Sequence, residues 1–143
     1  MLEAQSLTGD TRYADAAREM LEFALTRGWD RRYGGFYQHL FRNGRLASPI
    51  KEWWPQCEGL WALLLTHRDT GDPDVLALAR RLMHFCFTHF ADHEHGDWYA
   101  SLHPDGTPAD DRKGYLYKAA YHVVDGCMAP ISLLAERTAA RAV

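Results

Sequence analysis

No stretch of this sequence approaches the roughly 20 consecutive apolar residues that a bilayer-spanning helix requires, and no basic-then-apolar leader opens it. Cysteine is scarce. Cys57, Cys86 and Cys127 are an odd number, lie far apart along the chain and sit in helical, partly apolar contexts. That pattern favours buried free thiols in a reducing compartment over a disulfide or a zinc site. Blocks of one charge are missing as well: 16 basic and 19 acidic residues are interspersed, for a net charge of −3. Neither nucleic acid nor an anionic membrane surface is therefore expected as a partner. Together these absences predict a soluble, cytoplasmic protein.

What is present is core-forming material. With 143 residues and 47% hydrophobic content the chain is long enough for one domain with a real core. After Gly9, Asp10 caps a helix whose apolar positions Tyr13, Ala16, Ala17, Met20, Leu21, Ala24 and Leu25 share one face, closed by Gly28. Gly34 to Phe41 followed by Arg42-Asn43-Gly44-Arg45 is a hairpin signal. A helix is expected from Lys51 to His67, and another from Asp74 to about Phe90 behind the cap Thr70-Gly71-Asp72-Pro73. A second hairpin runs from Asp97 to Leu102 with its turn at Pro104-Asp105-Gly106. From Lys113 or Gly114 to about Arg137 the pattern is helical again, with Gly126 and Pro130 as kink positions.

Shifted by 62 positions, the sequence matches itself without a gap: Thr8-Gly9-Asp10 on Thr70-Gly71-Asp72, Phe23 on Phe85, Gly34 on Gly96, Tyr37 on Tyr99, Gly44 on Gly106 and Lys51 on Lys113. Such a repeat of helix, hairpin and helix buries its faces against neighbouring repeats, in an open solenoid or a closed ring. Recurrence assigns Lys51 and Lys113 to helix entry and Tyr37 and Tyr99 to packing. On the same overlay Leu2 to Leu7 falls on Leu64 to Asp69, the last turns of a helix. The chain is thus expected to begin inside a helix, as the C-terminal part of a larger toroid. Its apolar edge would be exposed and open to self-association.

The richest stretch is Lys51-Glu52-Trp53-Trp54-Pro55-Gln56-Cys57-Glu58-Gly59-Leu60-Trp61. Positions 54, 58, 61 and 65 share one helical face, which joins an indole, a carboxylate and a second indole. Sugar C–H groups stack on an indole while polar side chains hold hydroxyls, so this face suits a polyhydroxylated ligand.

That stretch, with Gly96-Asp97-Trp98-Tyr99, Asp105-Gly106 and Lys118-Ala119-Ala120-Tyr121-His122, resembles the C-terminal portion of the N-acylglucosamine 2-epimerase family, which includes cellobiose 2-epimerases and aldose–ketose isomerases. The resemblance implies a mostly helical fold, a partial (α/α)6 barrel whose inner helices line a sugar pocket. It implies proton chemistry at C2 of a free reducing sugar, with no redox cofactor and no metal. Two histidines perform it in the family, and His122 stands where the later one belongs, as general acid and base. Trp54 is implied as the stacking indole, with Trp53 the second choice. Glu58 and Gln56 line or brace the site, and Trp98 sits on a hairpin overhanging the mouth.

Two departures limit the carry-over. The earlier histidine belongs to a His-x-x-Glu-Trp helix motif that these 143 residues lack, and His39, in a hairpin without the spaced glutamate, does not replace it. Epimerisation by this chain alone is not expected. Asp125, three residues after His122, stands where the N-acylglucosamine epimerases carry an arginine; it could orient the imidazole or accept a sugar hydroxyl. The charge reversal favours a neutral aldose or disaccharide over an N-acetylated sugar.

His84, His89, His93, His95 and His103 straddle a helix end and a loop, so they read as solvated polar residues rather than metal ligands. Asp110 and Asp111 are adjacent in a loop and make a poor hydrolase pair. The competing reading is a non-catalytic carbohydrate-binding or helical scaffold module.

Overall fold

Two Thr-Gly-Asp segments punctuate the chain. Gly9 and Gly71 each sit at φ 71°, the left-handed conformation that ends a helix, and each preceding threonine hydroxyl bonds back four residues, Thr8 to the Ala4 carbonyl and Thr70 to that of Thr66. Asp72 then accepts from the Asp74 amide at 2.8 Å, and Pro73 takes the first helical position, where its missing N–H costs nothing.

The computed structural model describes residues 1–140, with side chains described for all but 129 and 133–140. The helices are α1 (Leu2–Thr8), α2 (Arg12–Phe23), α3 (Trp53–Thr70), α4 (Pro73–Phe85) and α5 (Tyr121–Ala140). Single π-helical turns, Ala24–Gly28 and Cys86–Phe90, extend α2 and α4. Strands β1 (His39–Leu40) and β2 (Leu46–Ser48) form one antiparallel hairpin; β3 (Lys51–Glu52), β4 (Ser101–Leu102) and β5 (Pro108–Asp110) form a three-stranded antiparallel sheet in that order. Because β3 pairs with β4, the second hairpin is sewn to the entrance of α3.

The protein is therefore mostly helical, as the sequence led us to expect, with two short sheets added. Helix α3 packs against both α4 and α5, and its buried residues Trp53, Cys57, Leu60 and Leu63 join Leu82, Phe85, Phe90 and Trp98 in one core. Among the described residues no helix is long and apolar enough to cross a membrane.

Two boundaries differ from the sequence reading. Lys51 and Glu52 are strand rather than first helical turn, because their backbone is taken by β4. Residues 113–120 are not helical either. Tyr115 and Lys118 exchange backbone hydrogen bonds in a tight turn, and the Lys118 ammonium reaches back to the Lys113 carbonyl at 2.7 Å, so α5 begins only at Tyr121.

Three lysines are tied to an aspartate 21 residues earlier: Lys51 to Asp30 at 2.7 Å, Lys113 to Asp92 at 2.8 Å and Lys118 to Asp97 at 2.9 Å. Burial works against the Asp30 charge. The Lys51 ammonium and the amides of Tyr33 and Arg32 outweigh it and hold the carboxyl below its ordinary value. The Lys113 ammonium, with the amides of His95 and Glu94, holds Asp92 well below it. A carboxyl depressed in the folded state contributes stability that is complete above the unfolded-state pKa and lost as pH falls through the folded one. The urea midpoint is therefore expected to be flat from neutrality to about pH 5 and to drop below about pH 4, the ordinary carboxylate range. A midpoint unchanged at pH 3 would contradict this.

All three cysteines are free; Cys57 and Cys86 are buried in the core and Cys127 packs half-buried against it. Burial, with Cys127 and Glu58 nearby, pushes the Cys57 thiol up to about 12, and burial pushes Cys86 well above its ordinary value. Only thiolate is nucleophilic. Alkylation of native protein at pH 8, followed by mass spectrometry, is expected to leave Cys57 and Cys86 unmodified until denaturant is added.

Candidate functional site

The second turn of α3 and the first turn of α5 bring a carboxylate to an imidazole. His122 Nδ1 lies 3.0 Å from Glu58 Oε1, and the His122 ring lies 6.2 Å from that of Trp54 and 6.5 Å from that of Trp53. An ionised carboxylate only accepts, so the proton of this hydrogen bond sits on Nδ1 and leaves Nε2 of the neutral ring as the basic nitrogen. Trp54 is half-exposed, and its indole N–H donates to Glu52 at 3.1 Å, which holds the ring at the surface. An imidazole oriented by a carboxylate beside a presented aromatic face can move a proton on a ligand stacked there.

The other expected site residues are placed differently. Asp125 accepts from the Tyr121 phenol and raises its pKa, so it holds a neighbouring side chain rather than the imidazole. Tyr121 in turn packs edge-on at 4.9 Å from the His122 ring. Gln56 is fully buried, and its amide is spent on backbone. It accepts from the Phe36 amide at 2.7 Å and donates to the carbonyls of Phe36 and Glu52 at 2.8 and 2.9 Å. It braces the first hairpin against α3 and has no surface left for a ligand. Trp98 is buried too, stacked on Phe90 at 5.8 Å, so it fills the core instead of overhanging a mouth. Trp53 is 2% exposed and packs edge-on against Tyr115. Hydrophobic burial claimed these two indoles because their backbone positions face the α3–hairpin interior.

Lys118 is the residue whose part sequence reasoning missed. It is buried, carries the Asp97 ion pair, and sits 5.8 Å from the Trp53 ring directly before α5. The 21-residue spacing of aspartate to lysine, already visible twice in the repeat, was the available signal.

On α3 the same Trp54 and Glu58 also wall a cleft of about 710 Å³ whose other sides are Leu2, Met20, Leu21 and Trp61. No α5 residue lines it, so His122 stands beside the cleft. Among the described residues no three His, Cys, Asp or Glu side chains converge as metal ligands would.

The model of the N-acylglucosamine 2-epimerase family matches residues 1–126. The chain is 34% identical over 100 residues to N-acylglucosamine 2-epimerase of Bos taurus, covering 67% of this chain and 24% of that protein. It is 28% identical over 115 residues to D-mannose isomerase of Marinomonas mediterranea, covering 80% of this chain and 29% of that one. A crystal structure of D-mannose isomerase superposes with a TM-score of 0.85 at 25% identity, over 92% of this chain and 34% of the neighbour. The chain thus spans about a quarter of the curated relatives' length and a third of the solved neighbour. Since the match runs from α1 through both hairpins and past His122, the chain belongs to the N-acylglucosamine 2-epimerase family.

Proposed function

We propose that this chain carries the His122 side of a sugar 2-epimerase or aldose–ketose isomerase site. The observation that carries the reading is the 3.0 Å contact between His122 and Glu58 beside the exposed face of Trp54. The sugar's C–H face stacks on Trp54 in its open-chain form. Nε2 of His122 takes the proton from the carbon next to the carbonyl; the electron pair of that C–H bond delocalises into the carbonyl, forming an enediolate. The imidazolium so formed is stabilised by Glu58, and its proton returns to the same carbon or to its neighbour. Inversion at C2 needs a second acid on the opposite face, and the His-x-x-Glu-Trp segment that supplies it in the family is not among these 143 residues. This chain is accordingly read as not completing an epimerisation alone.

The reading includes a partial (α/α)6 barrel built of 62-residue repeats and located in the cytoplasm. What supports the repeat is order and offset: α2, a π turn, β1 and β2 are followed by α4, a π turn, β4 and β5, with the two π turns 62 residues apart. The apolar cleft walled by α1, α2 and α3 is the barrel edge expected to self-associate. Asp125 favours mannose, glucose or cellobiose over N-acylated sugars.

The test is exchange of the C2 proton in deuterated water, followed by NMR, with mannose, glucose and cellobiose and the natural gene product that carries these residues. Exchange that disappears in His122→Asn supports the reading. No exchange by a product that also holds a His-x-x-Glu-Trp helix sinks it and leaves carbohydrate binding without chemistry.

A further inference from the structure

Helix α5 packs along α3 and comes very close to it at Gly126. Val123 and Cys127 pack against the core, and Gly126 between them is buried with its α-carbon against Cys57. A methyl group built on Gly126 would stand 2.9 Å from Cys57 Sγ, 3.0 Å from its Cβ and 3.3 Å from its Cα. Turning the thiol away removes only the first of these collisions, because Cβ and Cα are fixed to the α3 backbone. Cys57 is the residue before Glu58, and Gly126 stands one helical turn after His122. The contact that lets the helices touch is therefore adjacent, on both helices, to the pair that forms the hydrogen bond.

We infer that Gly126 is a positioning residue: its lack of a side chain sets the separation of α3 and α5 at which Glu58 reaches His122 Nδ1. A side chain here forces α5 to retreat by a few tenths of an ångström. His122 stands in the first turn of α5 and Glu58 in the second turn of α3, so that displacement lengthens their 3.0 Å hydrogen bond toward the limit at which its geometry is lost. The consequence is electronic as well as steric. Glu58 is what keeps the proton on Nδ1; when it is out of reach, the neutral ring is free to carry its proton on Nε2, the nitrogen assigned as base. The inference rests on the proposed function for its catalytic meaning, but not for its test.

The test reads the tautomer of the neutral His122 ring by its two ¹⁵N shifts, on the 143-residue chain without any sugar. Wild type is expected to show the Nδ1–H form, and Glu58→Ala, which removes the acceptor, to lose it. Gly126→Ala should lose it too. Moving the methylene across the contact, in Cys57→Gly with Gly126→Ala, should restore it, and this double variant is the one read if Gly126→Ala alone does not fold. Cys127→Ala loosens the same interface away from the contact and should keep the Nδ1–H form. Retention of that form in folded Gly126→Ala, its absence from the folded double variant, or its loss in Cys127→Ala would overturn the inference. A tautomer that responds as expected while no gene product exchanges C2 protons would fault the proposed function and leave the positioning role standing.

Discussion

Truncation of Lys51 to alanine is expected to destabilise the fold by about 3–5 kcal/mol, the cost of removing one partner of a buried ion pair. Its ammonium is fully buried and donates three times, to Asp30 Oδ2 and the Gly34 carbonyl at 2.7 Å and to the Pro104 carbonyl at 2.8 Å. Asp30 is 4% exposed, so the variant leaves a buried carboxylate without its countercharge, held by the Arg32 and Tyr33 amides, and takes the donor from the buried Gly34 carbonyl. The Pro104 bond also ties the second hairpin to the first, so the loss should be cooperative rather than local. Burial, joined by the hydrogen bond to Asp30, already pushes the Tyr37 phenol up to about 12, which keeps that hydroxyl neutral, so it is no substitute cation. Lys113→Ala is the internal comparison. Its ion-pair partner Asp92 is similarly enclosed, but Lys113 itself is 32% exposed, and water can replace what is removed. Its cost is expected near 1 kcal/mol or below. Urea denaturation of the two variants checks the contrast, and equal losses would refute the distinction between them.

Replacement of His122 by asparagine is expected to lower C2 proton exchange by about 10²–10⁴-fold, the span that a positioned acid–base group contributes. Asparagine keeps a polar contact with Glu58 but has no basic nitrogen to accept a proton, so kcat should fall while KM changes little. Glu58→Gln keeps the volume and a carbonyl acceptor but removes the charge that stabilises imidazolium. It should cost about 10–100-fold, the usual size of losing such an outer partner. Trp54→Ala removes the stacking face, so its effect should fall on KM. Initial rates of deuterium incorporation across a sugar concentration series separate these three patterns. Unchanged kcat in His122→Asn would remove the assigned base.

Much of this was legible along the chain because it is local or periodic. The Thr-Gly-Asp boundaries work through bonds within four residues, and the hairpin turn at Asn43-Gly44 needs only glycine's positive φ, here 78°. The face shared by Trp54 and Glu58 follows from helical spacing. Other features depend on what a segment meets. Lys113 to Ala120 reads as helix on its residues alone, but Lys118 finds Asp97 and the Lys113 carbonyl, and those bonds fold the segment into a turn.

By itself, then, the sequence determined the helical class, the order of helices and hairpins, the family, and the pairing of a tryptophan helix with a histidine. It could do so because propensity, spacing and turn chemistry act within a few residues. Only the tertiary structure decided which indole is presented and which is entombed, since adjacent Trp53 and Trp54 differ in nothing but the side of α3 they occupy: one is 2% exposed, the other 37%. It also turned Gln56 into a brace, set Asp125 on Tyr121, and put Glu58 rather than Asp125 on His122. Apart from the Tyr121–Asp125 contact, which lies within one turn of α5, each of those outcomes depends on the approach of a second element from 20 or more residues away, or on the direction a helix presents to it, and neither is written in the residues nearby.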